Sequence, residues 1–155
     1  MCSSQPEGVD VSQTKQLLIA AALHQTAHVR YFIEQLGLCP NSTYGGKPTA
    51  LCYVVLKPNH TIMRYLLESG ADTSAQDALG MTPLHYAVLG GCQYCVTSLI
   101  NAGAALNTPA RSGKTPLDCA LDRLALQPIA HYLVRVGGLA NVPASTRQLD
   151  ALAMH

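Results

Sequence analysis

The 155-residue chain carries 10 Lys and Arg against 9 Asp and Glu, so no strong field points at nucleic acid or at a membrane surface. Only 12 % of residues are charged and 48 % are apolar, which suits one domain with a real core and an unusually uncharged surface. The apolar run "LLIAAAL" (17–23) falls far short of the roughly 20 residues that cross a bilayer, and "MCSSQPEGVD" places Glu7 and Asp10 where a secretion signal would be basic.

Residues 1–10 are expected to be disordered. The protein is expected to be cytoplasmic, with the nucleus as the alternative, and its six cysteines reduced, because their spacing fits no secreted framework. From residue 11 onward the chain repeats itself. Thr49 in "KPTALCYVV", Thr82 in "GMTPLHYAV" and Thr115 in "GKTPLDCAL" stand 33 residues apart. One step further back lies "KQLLIAAAL", which lacks the threonine but places Ala21 and Ala22 in the slots of Val54-Val55, Ala87-Val88 and Ala120-Leu121.

The second half of each unit agrees. "VRYFIEQLG", "IMRYLLESG", "VTSLINAG" and "IAHYLVRVG" carry apolar residues at helical spacing and end on Gly37, Gly70, Gly103 and Gly137. Asn41, Ser74, Asn107 and Asn141 continue the frame, with one extra residue within "DRLALQP". Helix, turn, helix and extended loop, repeated, predict an all-α solenoid over residues 11–141, in units of about 11–43, 44–76, 77–109 and 110–141.

Local chemistry supports the helix starts. Thr82 and Thr115 precede prolines, so each threonine is set to cap a helix while proline occupies the first turn, where its missing donor costs nothing. Thr115 to Asp118 additionally reads as a capping box. This disposes of Gly113-Lys114-Thr115 as the end of a phosphate loop. The second glycine such a loop needs is Thr108, and no apolar strand leads in. After residue 141, Ser145 and Gln148, with Leu149 and Leu152 along one face, suggest a short capping helix over 142–155; a disordered tail is the alternative.

Thr82-Pro83-Leu84-His85-Tyr86-Ala87 followed by Gly103-Ala104, Thr115-Pro116-Leu117-Asp118-Cys119-Ala120 and Gly70-Ala71-Asp72 resemble the ankyrin repeat family, whose signature is Thr-Pro-Leu-His-x-Ala. The resemblance implies stacked helix pairs with extended hairpin loops, and a monomeric, non-enzymatic module that holds a protein partner on its concave side, as an inhibitor or an adaptor. It also implies that His85 bonds to backbone and to the threonine of an adjoining repeat.

Concave slots transferred to this chain are Lys15, Leu23 and His24 in the first unit, then Lys47, Pro48, Leu56 and Lys57 in the second. The third supplies Ala78, Leu79, Met81 and Leu89, and the fourth Arg111, Ser112, Lys114, Asp122 and Arg123. An apolar middle of Leu56, Leu79, Met81 and Leu89 with Lys57, Arg111, Lys114 and Arg123 around it fits an acidic partner with apolar anchors; Asp122 is the only acid in the set.

No catalytic residue, cofactor or metal is assigned. Glu34 and Glu68 read as solvated helix ends, and His24 and His28 as flanking a turn rather than sharing a helix. The alternative is a thiol- or metal-dependent protein built on the C-x-x-C of Cys92 and Cys95. Tetrahedral zinc needs two more ligands, and no second C-x-x-C or paired histidines stand at a suitable distance, so packing is the expected role. The segment "CQYCVTSLI" has no charge although its outer side should face water, which hints at a complex or a longer architecture.

Overall fold

A computed structural model describes residues 11–139; the expected disordered start and the C-terminal capping helix or tail lie outside the described residues. Within them every regular element is helical, in the order α1 (Val11–Ala22), α2 (Thr26–Glu34), α3 (Ala50–Leu56), α4 (His60–Glu68), α5 (Pro83–Leu89), α6 (Gln93–Asn101), α7 (Pro116–Leu121), a short 3-10 turn (Leu124–Leu126) and α8 (Gln127–Arg135). The helices form antiparallel pairs, and each pair stacks on the next, as an ankyrin-type solenoid requires.

One apolar core runs the length of the stack. Leu51, Leu84 and Leu117 repeat at 33 residues on the first helices, with Val54-Val55, Ala87-Val88 and Ala120-Leu121 beside them, all buried. The second helices add Val29, Met63, Val96 and Ala130, then Phe32, Leu66, Leu99 and Leu133. Each helix is too short to be stable alone in water, so burial between neighbours supplies the driving force.

The helix starts follow the threonine signals. Asp118 Oδ2 accepts the Thr115 backbone N–H at 2.9 Å, and Thr115 Oγ1 accepts the Asp118 N–H at 3.3 Å, which closes the capping box at α7. In α5 the same position is His85: its Nδ1 accepts the Thr82 N–H at 3.1 Å and lies 2.9 Å from the Thr82 hydroxyl. This corrects one expectation. The threonine that His85 meets belongs to its own repeat, because His85 is the third residue of the helix that Thr82 caps; the adjoining repeat contributes the Lys114 carbonyl instead, 3.1 Å from Nε2.

The first unit departs from the 33-residue frame. Ala20 and Ala21, not Ala21 and Ala22, are the buried counterparts of Val54 and Val55, a step of 34. The extra residue sits at the end of α2. There the Leu38 N–H reaches the Phe32 carbonyl six residues back, whereas Ala71 and Ala104 reach only five back, to Leu66 and Leu99. Lys15 lies within α1 rather than at a hairpin tip. In the last unit the extra residue is absorbed by the 3-10 turn, which turns Leu126 into the core.

Two polar bridges tie the loops together. Asn41 Oδ1 accepts the Asp72 N–H while its amide donates to the Gly70 carbonyl, and Asn107 repeats the pattern with Leu139 and Gly137. Gly90, the C-cap of α5, sits close against the end of α3. Its φ of −73° suits any residue, but an added Cβ would stand 2.6 Å from the Leu56 carbonyl oxygen. The obstacle is backbone, which cannot swing aside. Gly90→Ala is therefore expected to cost about 1–3 kcal/mol, read as a lower urea midpoint with unchanged slope.

Candidate functional site

The loops between repeats fold as hairpin turns that lean on one another. The Ala78 N–H donates to the Gly46 carbonyl at 3.0 Å and the Arg111 N–H to the Leu79 carbonyl at 2.8 Å, so three successive tips form a continuous row. Gly80 makes this closeness workable, since its φ of +71° is left-handed and a Cβ there would meet the Arg111 nitrogen at 2.7 Å. Asp77 organises the third tip. Its Oδ1 accepts the N–H groups of Leu79 and Met81, and its Oδ2 accepts the Tyr86 hydroxyl at 2.5 Å. Burial and then that carboxylate hold the Tyr86 phenol well above its ordinary range.

Asp77 was not among the concave slots read from the sequence, where Asp122 stood as the only acid. It is a second carboxylate on this side, committed to its own hairpin. Asp122 is committed too, because Lys114 Nζ donates to its Oδ2 at 2.5 Å. That hydrogen bond and the charge behind it hold the Lys114 ammonium above its usual value.

The residues singled out from the sequence fall into two groups. Leu79, Arg111, Lys114 and the half-buried Met81 belong to the hairpin row, and Leu79 is 64 % exposed at its tip. Leu56, Lys57, Leu89 and Arg123 belong to the opposite ends of the first helices, where Arg123 Nη1 donates to the Leu89 carbonyl at 3.4 Å. Leu89 is half-buried against the core. A seven-residue helix, about 10 Å long, separates the groups, so they form two bands.

A further concavity lies nearer the N-terminus. A cleft of about 270 Å³ opens between α1, the first hairpin and α3, with Leu18, Ile19, Tyr44 and Tyr53 as its apolar lining and Lys15 and Lys47 as its charged residues. Among the described residues no acidic side chain lines it. Ile19 is 47 % and Tyr44 42 % exposed, so this greasy surface is open to water. Lys15 and Lys47 were in the concave slots from the sequence; Ile19, Tyr44 and Tyr53 were not, because only the packing of α1 against the hairpin makes them neighbours.

The cysteines divide by environment. Burial pushes the Cys52 thiol up to about 11, and burial also raises Cys119, so both behave as small hydrophobic side chains. Cys92 is different: it is the N-cap of α6, with its sulfur accepting the Cys95 N–H at 3.3 Å. The sequence offers neither a second C-x-x-C nor a histidine pair at ligand spacing, but the stack brings a single histidine to this one. His60, at the start of α4, brings Nε2 to 3.5 Å from Cys92 Sγ, and the ligand atoms of His60, Cys92 and Cys95 all lie within 4.8 Å of one another. His24 falls in the turn after α1, with φ of +59°, while His28 lies on α2.

Among the described residues no helix is long and apolar enough to cross a membrane. The family model for ankyrin repeats (3 copies) matches residues 51–143. The chain is 34 % identical over 124 residues to Ankyrin repeat and SOCS box protein 16 of Mus musculus, which covers 76 % of this chain and 27 % of that protein. The Homo sapiens protein of the same name is 42 % identical over 65 residues, 42 % of this chain and 14 % of its own. Potassium channel SKOR of Arabidopsis thaliana is 38 % identical over 73 residues, 47 % of this chain and 9 % of the channel. The chain thus spans about a quarter or less of these relatives. Period, capping boxes, stacked helix pairs and these matches agree: the chain belongs to the ankyrin repeat family.

Proposed function

We propose that this chain is a non-enzymatic module that holds a protein partner along its concave side, where hairpin tips and first helices meet. The observation that carries this reading is the cleft between α1, the first hairpin and α3, with its apolar lining and its two lysines, beside which no described acidic residue stands. Such a site suits an acidic segment with an aromatic or aliphatic anchor: the anchor displaces water from Ile19, Tyr44 and Tyr53, and the charges steer the encounter. The bands at Leu79, Met81 and Arg111 and at Leu56, Lys57, Leu89 and Arg123 extend the surface along the array. Lys114, already paired with Asp122, contributes less than the sequence suggested.

An adaptor role has support from the relatives, since Ankyrin repeat and SOCS box protein 16 is named for a second element beside its repeats and this chain matches 27 % of the mouse protein. We take residues 11–141 as one array of four units. Buried thiols at Cys52, Cys95 and Cys119, facing the core from different helices, fit an intracellular, reducing setting.

The test uses a fluorescent acidic peptide with leucine and phenylalanine anchors and its charge-reversed counterpart. The acidic peptide is expected to bind more tightly, with an affinity that falls as salt rises. Lys15→Glu with Lys47→Glu, both exposed positions, is expected to weaken it about tenfold or more at low salt. Equal binding of the two peptides, or a double variant that binds like the parent, would remove the basis for the cleft as the anchoring site.

A further inference from the structure

We propose that His60, Cys92 and Cys95 bind a zinc ion that staples the second repeat to the third. The inference is independent of partner binding and uses a different part of the molecule, the ends of the second helices away from the hairpins.

A tetrahedral zinc with Zn–S of about 2.3 Å and Zn–N of about 2.0–2.1 Å sets its nitrogen and sulfur ligands about 3.5 Å apart and two sulfurs about 3.8 Å apart. The separation of His60 Nε2 from Cys92 Sγ is already 3.5 Å, and no pair among the three ligand atoms exceeds 4.8 Å. Side-chain rotation that draws the widest pair in by up to about 1 Å completes the cone. Two thiolates and an imidazole form the donor set that zinc prefers over magnesium or calcium, which take oxygen.

The site is also held in place before metal arrives. Cys92 and Cys95 occupy the N-cap and third positions of the nine-residue α6, one turn of helix that points both sulfurs the same way. The Cys95 N–H donates to Cys92 Sγ, a bond that strengthens when the sulfur becomes a thiolate at a helix N-terminus. On the other side the His60 ring packs on the Tyr94 ring with centroids 4.3 Å apart, which limits the imidazole's freedom. His60 is exposed and Cys92 half-buried, so an ion can enter from solvent, and its fourth position is left for water or for a donor from a bound partner. Because His60 comes from one repeat and the cysteines from the next, binding energy adds directly to the interface between them.

The test uses the full reduced, metal-stripped chain and Co²⁺ as a visible stand-in for Zn²⁺. One equivalent is expected to give the intense visible bands of tetrahedral cobalt with thiolate-to-cobalt charge transfer in the near ultraviolet. Zn²⁺ is expected to bleach both and to raise the thermal midpoint, as binding to the folded state requires. His60→Ala and Cys92→Ser should each weaken uptake at least about tenfold. Neither threatens the fold: His60 is exposed, and serine is a good N-cap, so circular dichroism and metal-free midpoints should match the parent. A parent protein without a tetrahedral cobalt spectrum overturns the proposal. So does a spectrum that persists unchanged in either variant, which would place the ion on other cysteines.

Discussion

Leu99→Ala is expected to lower stability by about 2–5 kcal/mol, the range for deleting a fully buried leucine and leaving a cavity. Leu99 stands at the middle of the second-helix row formed by Phe32, Leu66, Leu99 and Leu133, and it is 0 % exposed. Its neighbours cannot collapse into the gap without moving α6 against α8 or α5, because each helix is already held by its pair. In a linear array the damage has a direction. Stability is a sum of unit and interface contributions, so weakening α6 loosens the units on either side of it while α1 and α2, which have no substantial contact with it, are affected last. Urea unfolding followed by Tyr fluorescence should show the shift. Amide exchange should show the loss concentrated in α5 to α8, and protection lost equally in α1 would argue for a single indivisible core.

The second large effect is expected at His85. This ring is fully buried and does two jobs: Nδ1 accepts from Thr82 at the start of α5, and Nε2–H donates to the Lys114 carbonyl of the next repeat. A carbonyl only accepts, so the proton must sit on Nε2 and the Thr82 groups must donate to Nδ1. His85→Ala removes the acceptor of the Thr82 N–H in the capping box and leaves the Lys114 carbonyl without this donor, a combined cost of about 2–4 kcal/mol. The same geometry makes the residue a pH sensor. Burial, only partly offset by the Lys114 carbonyl, lowers its pKa below the ordinary 6.5. A histidine whose folded pKa is depressed contributes stability that is complete above about 6.5 and is lost as pH falls below it, since the unfolded chain takes up the proton first. Protonation at Nδ1 would also turn an acceptor into a donor facing the Thr82 N–H. The parent should therefore lose stability more steeply than His85→Ala as pH falls through about 6.5, measured by denaturant midpoints at each pH; parallel curves would show that His85 does not carry the dependence.

Periodicity made the fold legible. Thr49, Thr82 and Thr115, with glycines at the ends of the second helices, place helix pairs because each residue type has a local job that the backbone requires wherever it recurs. The first unit was harder to place, since α1 lacks that punctuation and its step of 34 residues arises from one additional residue before Gly37, visible only in hydrogen bonding. Site features were less legible for a physical reason: they are relations between repeats. His60 and Cys92 are 32 residues apart and meet only through the stack. Lys114 and Asp122 read as separate charges until the hairpin folds back over α7. Lys15 and Lys47 were visible as basic residues, while the apolar cleft between them depends on how α1 packs.

The central question for this array is which of its sides recognises a partner. Chemical-shift mapping of the isotope-labelled chain with the acidic anchored peptide tests this directly. The largest shifts are expected at Ile19, Tyr44, Lys47 and Tyr53, fading along Leu56 and Leu79, with Arg64, Tyr94 and Arg135 on the second helices unmoved. Shifts clustered on those second helices, with the cleft silent, would contradict recognition on the concave side.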